Sequence, residues 1–94
     1  MKCFFVYILK CSDGSYYTGH TDNLEKRWSE HNLGKIDGYT KTRLPVKLVY
    51  MAMMASRREA LAAERRIKGW TRKKKEALIK KDWNELMRLS NEKK

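Results

Sequence analysis

The run Cys3-Phe4-Phe5-Val6-Tyr7-Ile8-Leu9 is apolar at nearly every position. A strand with one wet face alternates apolar and polar residues. A run without alternation fits a strand buried on both faces. Ser12-Asp13-Gly14 then supplies a turn, and Ser15-Tyr16-Tyr17-Thr18-Gly19 returns as a second strand. The pair reads as an antiparallel hairpin whose first strand must be covered from both sides.

The rest of the chain supplies the cover. Asp22 with Glu25 resembles a capping box, with Asn23 and Leu24 opening a helix over about residues 23–33 and Gly34 behind it as a C-terminal cap. Leu24, Arg27, Trp28 and His31 share one face of that helix. Residues 34–45 hold Gly34, Gly38 and Pro45 and read as a loop, and Val46–Met51 reads as a third strand. Ser56 with Glu59 forms a second capping box, for a helix ending near Lys68 and Gly69. Thr71 can cap a helix over Arg72–Lys81, and Asp82 with Glu85 a short fourth one. Residues 91–94 are expected to fray. The order is β-β-α-β-α-α-α. It implies a small mixed sheet with helices against it, an α/β or α+β sandwich in one domain.

Ninety-four residues allow a real but small core, and 41% apolar composition with three Trp and five Tyr excludes a disordered tail. No run approaches the roughly 18 apolar residues of a membrane span. The apolar N-terminus lacks a small-residue cleavage site, so a cytoplasmic location with no membrane partner is expected. Cys3 and Cys11 are too few for a disulfide framework and lack metal-site companions. The charge is +11, from 22 Lys and Arg against 11 Asp and Glu. Residues 57–94 carry 14 basic and six acidic residues, a net +8. Such a basic half suits a polyanion, most often nucleic acid.

Three constellations could carry chemistry. Tyr7 and Tyr17 lie on adjacent strands. Packing explains a strand tyrosine, whereas a phenol acts as a base only where its deprotonation is assisted. Arg27 and His31 lie one turn apart on a stripe with Leu24 and Trp28. The arginine stem can snorkel to the rim, or its guanidinium can clamp a phosphate. His31 can contact phosphate or relay a proton, or be a satisfied rim histidine. Glu64 occupies the buried stripe Ala60, Leu61, Ala63, Glu64, Ile67, where an apolar residue is expected. It can be satisfied by an ion pair with Arg27 or Lys68, or by a metal. One carboxylate is thin for an all-protein cage but adequate for Mg²⁺, which keeps several waters. No P-loop, His-Glu-x-x-His or Cys-x-x-Cys motif is present.

Tyr7, Tyr17-Thr18-Gly19, Arg27 and Glu64, in this order and spacing, resemble the GIY-YIG nuclease family. The stretch Phe5–Gly19 is similar to its small stand-alone bacterial members, as are Arg27-x-x-x-His31-Asn32-x-Gly34-Lys35, Tyr39-Thr40, Pro45-Val46 and Glu64-x-x-Ile67-Lys68. Phe5 stands where the first half-motif has glycine, and Thr18 where the second has isoleucine. The resemblance covers about residues 1–80, leaving 81–94 as a helical extension and tail. It implies a three-stranded antiparallel sheet flanked by helices, and phosphodiester hydrolysis with one divalent ion, Mg²⁺ or Mn²⁺. Carried onto this chain, Glu64 would hold the metal, Tyr7 or Tyr17 would help deprotonate water, and Arg27 would stabilise transition-state charge, with a softer role for His31.

The expected activity is an endonuclease acting on DNA ahead of RNA, including structured or damaged DNA as in repair. The alternative is a nucleic-acid-binding module without catalysis. Lys35, Lys41, Arg43, Arg65, Lys68, Arg72, Lys73 and Lys74 are the expected phosphate contacts, and a monomer is the default.

Overall fold

Strand β1 (Phe4–Lys10) lies at the centre of the sheet, and a computed structural model describes it within residues 3–91. Its neighbours are β2 (Tyr16–Thr21) and β3 (Lys47–Met54), both antiparallel, in the order β2-β1-β3. The sheet is therefore wholly antiparallel, not mixed. Val6, Tyr7, Ile8 and Leu9 are each at most 1% exposed, as the unbroken apolar run requires.

Alternation divides these four residues between two cores. Val6 and Ile8 pack with Ile67 and Leu78, under helices α2 (Arg57–Lys68) and α3 (Arg72–Lys80). Tyr7 and Leu9 pack with Cys11, Val46, Leu24 and Trp28, under helix α1 (Leu24–Asn32). Helix α4 (Trp83–Asn91) adds Leu86 to the first core.

The caps explain where the helices begin. Asn23, not Asp22, caps α1, its side chain accepting from the Lys26 amide at 3.2 Å. Asp22 instead meets Arg57 at the start of α2. Helix α1 ends one residue short of expectation, and Gly34 follows at φ +72°, where a side chain would be strained. Ser56 caps α2, and Glu59 reaches back to the Ala55 amide. Thr71 caps α3, and Asp82 accepts from the Glu85 amide at the start of α4. Strand β3 begins one residue later than the sequence reading and runs three further, because Ala52 and Met54 continue to pair with Val6 and Phe4. The expected fraying of residues 91–94 falls on 92–94 outside the described residues, while Asn91 closes α4.

Trp28 Nε1 and Asn32 Nδ2 both donate to the Val46 carbonyl, and Asn32 Oδ1 accepts from the Val46 amide. These bonds fasten the 33–46 loop to α1. None of the helices among the described residues is long and apolar enough to cross a membrane.

Candidate active site

Strand β2 organises the site. Its residues pair with β1 as Leu9↔Tyr17, Ile8↔Thr18, Tyr7↔Gly19 and Val6↔His20. Paired residues share a face, so Tyr17 and Gly19 lie with Tyr7 on the α1 side. His20 lies on the other side, toward α2. The candidate residues therefore gather around the β2 edge.

Gly19 allows the closest approach. A Cβ there would lie 2.5 Å from the Tyr7 hydroxyl, 2.7 Å from its Cζ and 3.1 Å from Tyr17 Cε2. The end of the Tyr7 ring thus rests on bare backbone. Its hydroxyl shares a 3.1 Å hydrogen bond with His31 Nε2, and His31 Nδ1 lies 2.7 Å from Thr40 Oγ1. Tyr7, His31 and Thr40 are each 1% exposed. Burial pushes the Tyr7 phenol well above its ordinary pKa, and Tyr17 adds to this, while Arg27 pulls the other way. Burial also holds the His31 pKa below the usual imidazole value, with Arg27 in support and Glu30 opposing. His31 is therefore a core residue rather than a rim one. Both its ring nitrogens are partnered, by the Tyr7 hydroxyl and by Thr40, and almost none of its surface is open to a ligand.

Tyr17 is only partly buried. Its ring centroid lies 5.2 Å from that of His31 and 6.4 Å from that of Tyr7. Tyr39 stacks on its other flank at 6.3 Å, and Arg43 lies 3.9 Å over Tyr39. Arg43 also binds Asp13 and the Tyr39 carbonyl, tying the 33–46 loop to the hairpin turn.

Glu64 sits where the helical stripe places it, with its side chain 12% exposed. Oε1 accepts from or pairs with His20 Nδ1 at 2.5 Å, and Oε2 meets Lys68 Nζ at 2.7 Å. Burial raises the Glu64 pKa, but the His20 and Lys68 bonds outweigh it and hold the carboxyl below its ordinary value. Of the two ion pairs open to Glu64 on sequence, Lys68 is realised. Arg27 instead meets Glu30 at 3.6 Å and lines a shallow polar depression with Thr21, Asp22, Asn23 and Lys26. Lys68 Nζ also lies 5.8 Å from the Tyr17 ring centroid, joining the two sides of the β2 edge.

His20, Gly19 and Thr40 carry parts of this geometry that sequence reasoning did not assign. His20 left one usable signal, a polar side chain at a strand position that alternation aims toward α2. The remaining basic candidates divide into groups. Lys35, Lys41 and Arg43 lie on or beside the loop next to Tyr39, with Lys41 paired to Asp37. Arg65 is exposed on α2. Arg72, Lys73 and Lys74 form the first turn of α3, where Arg72 pairs with Glu76 and Lys74 lies over Trp70. Three cations in that turn oppose the helix dipole, so they cost α3 stability.

A family model described as the GIY-YIG catalytic domain matches residues 3–77. The chain belongs to the GIY-YIG family. That places it in a nuclease superfamily, whose members act on nucleic acids. Its relatives include small bacterial proteins named UPF0213. One from Bacillus pumilus is 48% identical over 94% of this chain and 85% of its own length. One from Staphylococcus aureus is 51% identical over 85% of this chain and 98% of its own length. The solution structure of a UPF0213 protein from Bacillus halodurans is similar at TM-score 0.55, with 41% identity over 83% of each chain. That of a protein from E. faecalis gives 0.59, with 38% identity over 86% of each.

Proposed function

We propose that this GIY-YIG domain is a metal-dependent endonuclease that hydrolyses phosphodiester bonds in DNA, with residues 1–80 as the nuclease unit and 81–94 as its extension. The observation that carries this reading is the single, nearly buried, ionised carboxylate of Glu64, placed beside Tyr17 through Lys68. A carboxylate on a mostly buried helical stripe costs free energy that a cation or a metal must offset.

The donor set fits a hard divalent ion that keeps most of its water. Among the described residues no group of three or more His, Cys, Asp or Glu side chains could form a cage. One carboxylate suits Mg²⁺ or Mn²⁺ completed by water and substrate oxygens. Glu64 would hold it, and when bound it supplies Lewis-acid polarisation of the phosphoryl oxygens. The protein's own groups then divide the work. Tyr17, with its partly open edge, is the tyrosine that faces water. Tyr7 is held protonated by burial and passes orientation from His31 and Thr40 onto the site. Arg27 offers its guanidinium to the charge that develops on the phosphate.

A second reading has one observation in its favour. Lys68 and His20 already satisfy Glu64, so a metal-free domain can bind nucleic acid without repulsion from the acid. Labelled DNA substrates incubated with Mg²⁺ or Mn²⁺ separate the two. The nuclease reading expects metal-dependent cleavage that falls about 10²–10³-fold in Glu64→Gln, with DNA binding in chelator retained. Equal behaviour of the two proteins, without nicking, supports the binding module.

A further inference from the structure

The Lys68 ammonium occupies one oxygen of the acid that the proposed function gives to a metal. Its placement has three features. It lies one turn after Glu64, close enough for a 2.7 Å contact. Its side chain is half exposed, whereas that of Glu64 is 12% exposed. It also lies on the Tyr17 side of the β2 edge. A lysine has three rotatable donors on a flexible stem, so it can leave the carboxylate by rotamer change alone, with the helix unmoved. A divalent cation approaching Glu64 meets a like charge already in place. Both cannot occupy the same carboxylate oxygen.

We infer that Lys68 is an exchangeable counter-ion, bound to Glu64 in the free protein and transferred to a phosphate of the nucleic acid when a divalent ion takes the carboxylate. This deepens the proposed function and rests on its assignment of Glu64. The inference makes metal and phosphate binding mutually reinforcing. The ion releases a cation that phosphate can use, and phosphate holds away a cation that competes with the ion. Linkage requires the two effects to be equal in size. The other paired cations among the expected phosphate contacts lack this position. Lys41, Arg43 and Arg72 bind Asp37, Asp13 and Glu76, so their release would free no metal ligand. His20 remains on the other oxygen and keeps the carboxylate in place.

Wild type, Lys68→Met and Glu64→Gln are titrated with Mg²⁺ at constant ionic strength, followed by amide and lysine side-chain NMR. Binding of a DNA oligonucleotide, its intactness checked by gel, is then measured with Ca²⁺ and with chelator. Lys68→Met is expected to bind Mg²⁺ about two- to fivefold more tightly, the range for loss of a partly screened ion pair. Wild type is expected to bind DNA several-fold more tightly with Ca²⁺, and Lys68→Met to lose that gain. In wild type the Lys68 side-chain resonances should move on addition of Mg²⁺ alone. Unchanged or weaker Mg²⁺ affinity in Lys68→Met, or an unchanged Ca²⁺ effect on DNA binding, overturns this inference and leaves Glu64 as metal ligand. Shifts that are absent at Glu64, or identical in Glu64→Gln, overturn both.

Discussion

Gly19→Ala tests the central geometric claim, that the Tyr7 phenol is positioned by resting on bare backbone. The new methyl would stand 2.5 Å from the hydroxyl and 2.7 Å from Cζ. Contacts between such atoms normally exceed 3.4 Å, so one group must shift by several tenths of an ångström. Tyr7 has little room, being 1% exposed and bonded to His31. Overpacking of this kind costs about 1–3 kcal/mol. The same substitution restricts the unfolded chain and returns about 0.4–1 kcal/mol. The net expectation is a loss of about 1.5 kcal/mol, or a Tm lower by roughly 6–12 °C for a domain of this size. Displacement of the Tyr7 hydroxyl should also reduce cleavage, by about 10²-fold if the shift approaches 1 Å. Urea unfolding, thermal melts and side-chain NMR of Tyr7 and His31 measure the first effect, and a cleavage assay the second. A Gly19→Ala protein at least as stable as wild type, with Tyr7 and His31 resonances unmoved, would refute the reasoning.

Three further outcomes are expected. Tyr7→Phe leaves His31 Nε2 buried without a partner and should cost about 1–2 kcal/mol, read from denaturant midpoints; no change would mean the bond contributes little. His31, whose folded pKa lies below the ordinary value of 6.5, keeps its contribution to stability above that pH. As pH falls below about 6.5 the unfolded chain takes a proton that the folded one resists, so unfolding free energy declines. Imidazole shifts of His31 that titrate at or above 6.5 would contradict this. The double substitution Lys73→Gln with Lys74→Gln should weaken DNA binding uniformly across sequences and lower the log–log salt slope by about 1.8, while changing stability by less than about 1 kcal/mol. An unchanged slope would remove the first turn of α3 from the interface.

Much of the architecture was legible because its signals are local. The seven-residue strand β1 follows from an apolar run without alternation, and α2 and α3 follow from Ser56 and Thr71 as caps. Glu64 stood out for the same reason, as an acid on a helical stripe. Where local signals compete, tertiary contacts decide between them. Asp22 and Asn23 are both good caps, and only the Asp22 contact with Arg57 shows why Asn23 took the role. The end of β3 has no local signal, because Met53 and Met54 extend a strand only when β1 is there to pair with them.

The sequence by itself determined which segments are helix and strand, that β1 must be covered on both sides, and that one acid would sit on a buried stripe. Those outcomes depend on neighbours a few positions apart. Only the tertiary structure decided who satisfies whom. Glu64 meets His20 across 44 positions, and Tyr7 meets His31 across 24. Strand register and the seating of α1 and α2 select these partners, and a register shift of one residue would turn His20 away from Glu64. The charge balance of the site follows from that packing, with Lys68 rather than Arg27 on the acid.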